Sequence, residues 1–164
     1  GPVGPASVLP VTLTSRPGPR PTTSDEGPHR QVDQQAPVAL WGELVLAATT
    51  IEGVREGHSS VSPASSRALF LDGHERTTNP TTSLAAPDQR LEPVHLHGVT
   101  DTSLHLCLPR ERAQEVCAAG WGEAHQYADH STEIMVYGPR DLDELAVVLG
   151  LVRESLDVAR ALNA

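Results

Sequence analysis

The sequence contains no lysine: its twelve Lys/Arg positions are all arginine, set against 21 acidic residues for a net charge of -9 with histidine neutral. Nucleic-acid binding is led by Lys and Arg neutralising phosphates, so an acidic chain of this kind is not expected to take a nucleic-acid partner. The same shortage makes a poor polybasic membrane anchor. Cysteine is nearly absent: Cys107 and Cys117 cannot build a disulfide framework, and no CxxC or paired Cys/His spacing suggests a zinc finger, so both thiols read as small hydrophobes. No run approaches the roughly 18 apolar residues of a spanning helix. With no basic-then-apolar pattern at its start, the chain is expected to be soluble and cytoplasmic, Gly1-Pro2 being compatible with a cleavage scar. Aromatic residues number only five, which leaves Trp121, Tyr127 and Tyr137 as the scarce stacking surface, although Trp121 reads first as packing against the neighbouring helix.

What is present in excess is histidine. Eight of them stand in 164 residues, beside fourteen prolines and thirteen glycines. Protonating all eight would bring the formal charge to about -1, so they are the largest adjustable reserve near neutral pH. The length suits one domain.

Residues 1–36 hold seven of the fourteen prolines and no periodic pattern. They read as an extended, largely disordered arm, because so little apolar surface cannot offset the entropy of ordering. Its distal end, Pro28-His29-Arg30-Gln31-Val32-Asp33-Gln34, gathers hydrogen-bonding side chains in the manner of a segment lying across a site. The folded domain is expected over 37–164. Pro37 opens a helix in which Val38, Leu40, Trp41, Leu44, Val45 and Ala48 recur at three- and four-residue spacing, failing near Ile51–Gly53. Strands are expected at 58–62 and 67–72. The aperiodic stretch 73–92 reads as either a lid or a disordered loop.

Pro93-Val94-His95-Leu96-His97 alternates apolar with His, and after Gly98–Thr102 the alternation resumes through Ser103-Leu104-His105-Leu106-Cys107-Leu108. This predicts an antiparallel hairpin. A five-residue loop sets His97 opposite Ser103 and His95 opposite His105. Side chains alternate between faces, so His95, His97, Ser103, His105 and Cys107 share one side while Val94, Leu96, Leu104, Leu106 and Leu108 face the core. A helix follows at 110–119 with Gly120 as its stop, then irregular chain from Trp121 to Asp129, then a strand over 133–137. Asp141 with Glu144 begins the last helix, whose apolar stripe runs Leu142, Leu145, Leu149, Val152, Leu156, Ala159. The order α-β-β-β-β-α-β-α describes one α+β domain with a mainly antiparallel sheet, helices on one face and histidines on the open face.

Three chemistries fit three imidazoles on one face. His95, His97 and His105 could ligate a divalent metal, Zn or Fe. Without metal they could serve as general base and hydrogen-bond donors toward an enolisable carbon acid, with Asp101 orienting one ring. The face could also simply bind a small ligand. Arg140, just before the last helix, is either a surface cation or an anion clamp. His29, His58, His74 and His130 read as surface residues.

The motifs Glu92-x-x-His95-x-His97-x-x-x-Asp101-x-Ser103-Leu104-His105-Leu106, Gly120-Trp121-Gly122-x-x-His125 and Tyr137-Gly138-Pro139-Arg140, with Gln31-Val32-Asp33-Gln34 upstream, resemble the luciferase-domain family named after the fungal luciferases. The resemblance extends over roughly residues 28–160. The fungal enzymes oxidise a hydroxylated pyrone with molecular oxygen and no flavin or nicotinamide; for this chain the resemblance implies an enolisable cyclic or aromatic, polyketide- or pyrone-like metabolite, deprotonated by a histidine base and open to oxygenation with no organic cofactor, the pyrone itself not carrying over. By that resemblance His95, His97, His105, Asp101 and His125 form the catalytic group. Ser103, Trp121, Glu123, Tyr137, Arg140, Gln31 and Asp33 form the substrate-contacting set. Gln126-Tyr127-Ala128 departs from the family's His-Pro-Leu-Ala run, and no counterpart of the fungal enzymes' N-terminal hydrophobic anchor is expected. The lysine-free, Arg- and Ala-rich composition looks like that of a high-GC bacterium, which is the expected source. The expectation is therefore an oxygenase-, isomerase- or cyclase-like enzyme of secondary metabolism, with a metal-dependent enzyme and a non-catalytic ligand-binding protein as alternatives.

Overall fold

The computed structural model describes residues 13–126 and 131–164. Three helices and six strands follow in the order α1 (Val38–Thr49), β1 (Val54–His58), β2 (Arg67–Leu71), β3 (Val94–Leu96), β4 (Leu104–Cys107), α2 (Arg110–Ala118), β5 (Gly122–Ala124), β6 (Glu133–Val136) and α3 (Leu142–Leu162). The strands form one fully antiparallel sheet in the order β1-β2-β3-β4-β6-β5, an α+β fold.

The hairpin adopts the register its loop length predicts. Val94 pairs with Leu106, His95 with His105 and Leu96 with Leu104, and the His97 amide donates to the Ser103 carbonyl at 2.9 Å. Val94, Leu96, Leu104 and Leu106 are completely buried, packed with Leu69, Leu71, Ile134 and Val136 of neighbouring strands under Trp41 and Leu44 of α1 and Val148, Leu151 and Val152 of α3. Each such leucine contributes roughly 1.5–3 kcal/mol of burial, which locks the alternation and drives the histidines to the opposite face.

Proline and acid chemistry set the helix ends. Pro37 and Pro109 stand just before α1 and α2, where a missing N–H costs nothing. The Asp141 carboxylate accepts the Glu144 amide at 2.9 Å and caps α3. Glu144 reaches back not to Asp141 but to the Arg140 amide, at 2.9 Å. Gly120, at φ 88°, closes α2: its amide donates to Cys117 O and that of Trp121 to Val116 O, a Schellman turn whose usual apolar contact joins Trp121 and Val116 in the core.

Two strands differ from the sequence reading. The first spans 54–58 rather than 58–62: Val-Arg-Glu-Gly-His has no apolar alternation because it is an edge strand, paired on one side only. The segment expected to be irregular from Trp121 contains β5, a three-residue strand too short to show a period. Residues 73–92 form a packed wall rather than free chain. Leu84, Ala85 and Leu91 are buried, and the Asn163 side chain beyond α3 accepts the Thr78 and Asn79 amides at 2.8 and 2.9 Å.

Residues 13–36 carry no helix, in keeping with their proline content, and cross the histidine face as a narrow loop. Thr23 bridges to Gln31, and Asp33 accepts both the amide and the hydroxyl of Thr22. Among the described residues, no helix is long and apolar enough to cross a membrane.

Candidate functional site

The β3–β4 face opens into a cavity of about 740 Å³, within the range of small-molecule pockets. His95, His97 and His105 are its wall, with His29 and Arg30 contributed by the N-terminal segment, His125 by the chain after β5, and Glu133 by β6. The remaining sides come from Val61–Ser66 and from Pro80 and Ser83–Pro87 of the long loop. The face that bears the histidines is free of α-helices among the described residues, but its imidazoles lie under this cover: His95, His97 and His105 are all buried.

Five imidazoles surround one another, and His105 stands at their centre. Its Nδ1 lies 3.0 Å from His95 Nε2 and 3.1 Å from His97 Nε2, while its Nε2 lies 3.2 Å from His29 Nδ1. The His125 ring is edge-on to it, with centroids 4.3 Å apart. Each of the four outer rings has a carboxylate behind it. His95 Nδ1 is 2.8 Å from Glu92 Oε2, His97 Nδ1 is 3.0 Å from Asp101 Oδ2, His29 Nε2 is 3.0 Å from Glu123 Oε2, and His125 Nε2 is 3.5 Å from Glu133 Oε1.

The carboxylates are themselves fixed. Glu92, wholly buried, accepts from Ser59 Oγ at 2.7 Å and the Ser60 amide at 3.0 Å. Asp101 accepts from Ser103 Oγ at 2.6 Å and the Gln31 amide at 2.9 Å. Glu123 accepts from the Tyr137 and Thr23 hydroxyls, both at 2.9 Å. Thr102, between Asp101 and Ser103, takes the left-handed conformation at φ 60°, a strain of about 1–3 kcal/mol for a β-branched residue. Its hydroxyl accepts the Ala36 amide at 2.8 Å, which ties the N-terminal segment to the turn that aims Asp101.

Burial dominates the electrostatics. It pushes the His105 imidazolium well below its ordinary range, helped by repulsion from His97, His95, His125 and His29. His95 is lowered by burial against the opposing pull of Glu92, and His125 by burial and the neighbouring rings to about 4. Burial alone would raise the Asp101 carboxyl, but hydrogen bonds from His97, Ser103 and the Gln31 amide bring it below its usual value. These three histidines are thus neutral near pH 7, with lone pairs available as bases or ligands.

Of the residues singled out in the sequence, His95, His97, Asp101, His105 and His125 line the cavity. Ser103 lies behind His97, its hydroxyl 2.8 Å from Nδ1. Glu123 and Tyr137 lie behind His29. Gln31 acts as a strut, its Oε1 accepting the Gly138 amide at 3.0 Å, and Asp33 braces the loop. Trp121 is in the hydrophobic core, with its indole N–H on Thr14 O at 2.7 Å, since the Schellman turn of α2 directs it there. Arg140 is outside the cavity lining: it pairs with Glu144 at 2.7 Å and holds Pro17 O, so the arginine at the pocket is Arg30. His74 binds the Asn163 carbonyl at 3.1 Å. Tyr127 and His130 lie outside the described residues.

Sequence reasoning missed His29 as part of the cluster, and assigned no role to Glu92 or Glu133. His29 sits in chain with no period, so nothing gave it a face. Glu92 precedes the first residue of β3, where strand alternation does not reach. Its one signal was the Glu-x-x-His spacing.

An α+β sheet whose face opposite the helices carries a carboxylate-backed imidazole cluster beside a ligand-sized cavity gathers groups with the chemistry of acids, bases or metal ligands around one space. Residues 90–155, which contain β3, β4 and most of the cluster, match the family model of the Luciferase domain. The luciferase of Armillaria ostoyae is 32% identical over 160 residues, covering 88% of this chain and 60% of that protein. Those of Armillaria mellea and Armillaria gallica are each 31% identical over the same lengths. The chain belongs to the luciferase-domain family, and it spans 60% of the length of these relatives. No solved structure is significantly similar to it.

Proposed function

We propose that the chain is a small-molecule enzyme that binds an enolisable cyclic or aromatic metabolite against the imidazole wall, removes its enolic proton and exposes the resulting anion to molecular oxygen. The observation that carries this reading is a ligand-sized cavity lined by a cluster of imidazoles, each outer ring oriented by a carboxylate. A carboxylate behind a ring fixes its tautomer and stabilises the imidazolium that forms when the ring takes a proton. The acceptor is drawn from the carboxylate-backed rings at the cavity, His95, His97 or His125. Arg30 at the pocket supplies a cation for the anionic form.

The chemistry balances without an organic cofactor. Loss of the enolic proton gives an enolate, and addition of dioxygen to its electron-rich carbon consumes the enolate electron pair. The peroxide oxygen then recovers the proton from the imidazolium. The likeness to proteins called luciferases supports an oxygen-dependent reaction of this class.

The test is a spectroscopic titration with ring enols such as hydroxypyrones and cyclic 1,3-diketones, paired with an oxygen electrode. Enol-to-enolate absorbance on binding and oxygen uptake are expected for the native chain and not for His97→Ala. The O-methylated analogues, which have no proton to lose, should give neither. Equal binding of enol and methyl ether with no oxygen uptake would identify a ligand-binding protein instead.

A further inference from the structure

The proton inventory of the cluster leads beyond acid–base chemistry. A neutral imidazole has one ring N–H, and a carboxylate is an acceptor only. Glu92 therefore fixes the His95 proton on Nδ1. Ser103 already donates its hydroxyl to Asp101 Oδ1, so Asp101 Oδ2 and Ser103 Oγ together fix the His97 proton on Nδ1 as well. His95 and His97 thus both present Nε2 lone pairs, at 3.0 and 3.1 Å, to the single atom His105 Nδ1.

One proton on His105 Nδ1 has two facing lone pairs to serve. It also leaves His105 Nε2 as an acceptor, so His29 would have to donate from Nδ1 while donating from Nε2 to Glu123, and would be an imidazolium. A cation among the three nitrogens removes both conflicts. His105 then offers a lone pair from Nδ1, its Nε2–H donates to His29 Nδ1, and His29 Nε2–H donates to Glu123. All four rings are neutral and every hydrogen bond has one donor and one acceptor.

The distances agree with this count. Nitrogens bound at about 2.0–2.1 Å stand roughly 2.9 Å apart at right angles and roughly 3.4 Å apart in a tetrahedron; those around His105 Nδ1 are 3.0 and 3.1 Å away. Each ring is backed in the way ligating histidines usually are, by Glu92, by Asp101, and through His29 by Glu123. The same three residues satisfy the spacing of a metal-binding group.

We propose that His95 Nε2, His97 Nε2 and His105 Nδ1 bind one divalent first-row transition-metal ion, with a coordination position facing the cavity. Three imidazoles with no oxygen ligand favour Zn²⁺ or Fe²⁺ over Mg²⁺ or Ca²⁺. The proposal rests on the pocket being the reaction site and refines it: the trio holds the anionic oxygen through the ion, and His125, with Glu133 behind it, takes the proton. A group already described as possible bases thereby becomes a metal centre with carboxylate supports.

The experiment is a Co²⁺ titration of the full chain after chelator treatment, read by visible absorbance and by metal stoichiometry, with Zn²⁺ as competitor. One equivalent of Co²⁺ with a ligand-field spectrum displaced by Zn²⁺ is expected. His97→Ala and His105→Ala should weaken binding by more than the roughly 10- to 100-fold that loss of an outer partner costs, and Glu92→Gln by about that 10- to 100-fold. His58→Ala, at the end of β1, should leave binding unchanged. Circular dichroism identifies any variant that fails to fold, and the near-isosteric Glu92→Gln keeps the test decisive in that case. No stoichiometric binding, or equal affinity in native, Glu92→Gln, His97→Ala and His58→Ala chains, overturns the proposal. Repeating the enol titration on metal-free protein separates the two readings. Enolate formation without metal binding leaves the pocket reading standing alone, and metal binding without any enol response leaves the centre standing while the substrate reading falls.

Discussion

His105 is the residue around which the others are arranged, and the hairpin register that buries four apolar neighbours is what places it there. Its face and its pairing with His95 were legible in the sequence, because alternation on two adjacent strands fixes both face and partner. Residues outside regular elements were not legible in this way. His29 belongs to an aperiodic segment, and Arg140 is drawn to Glu144 one turn into α3. A single glycine shows how tightly the surround is built. A Cβ on Gly138 would lie 2.0 Å from the Thr102 carbonyl oxygen, and the Gly138 amide holds the Gln31 side chain. Gly138→Ala is therefore expected to lower the unfolding free energy by roughly 2–4 kcal/mol, measured by urea denaturation. An unchanged midpoint would mean that the turn at Thr102 yields without cost.

At the scale of elements, long periodic segments were readable and short ones were not. The hairpin and α3 each carry several repeats of their period, whereas β5 has three residues and β1 is a charged edge strand. The 73–92 loop showed no pattern because its order comes from tertiary contacts, chiefly Asn163 and the buried Leu84 and Leu91. Gathering so many imidazoles on one face of the sheet has a pH consequence for metal-free protein. His95, His105 and His125 have native pKa values below the usual 6.5, so the unfolded chain takes up protons first as pH falls. The stability associated with their neutral forms is complete above about 6.5 and declines toward pH 4. The depressed Asp101 carboxyl adds loss only below its usual value of 3.8. Melting temperature should accordingly fall between pH 7 and pH 5, before carboxylates titrate. A flat profile over that interval would show that the rings protonate in the native state without penalty.

For the whole molecule, the sheet divides the labour. One face carries the helices and core, and the other carries the imidazole cluster beneath the N-terminal segment and the long loop. Family membership was legible from three ordered motifs, and the two-faced sheet from the hairpin alone. The cover was not legible, because residues 13–36 are held by side-chain hydrogen bonds from distant positions such as Asp101, Thr102 and Arg140. Such bonds leave no local pattern. Where a ring enol binds decides the role of the imidazole cluster, and a crystal structure of the chain soaked with a hydroxypyrone reads that position directly. The ring is expected in the cavity with its enolic oxygen directed at the nitrogens of His95, His97 and His105, as the proposed function requires. A ring bound elsewhere, or one turned with its apolar edge toward those nitrogens, would contradict it.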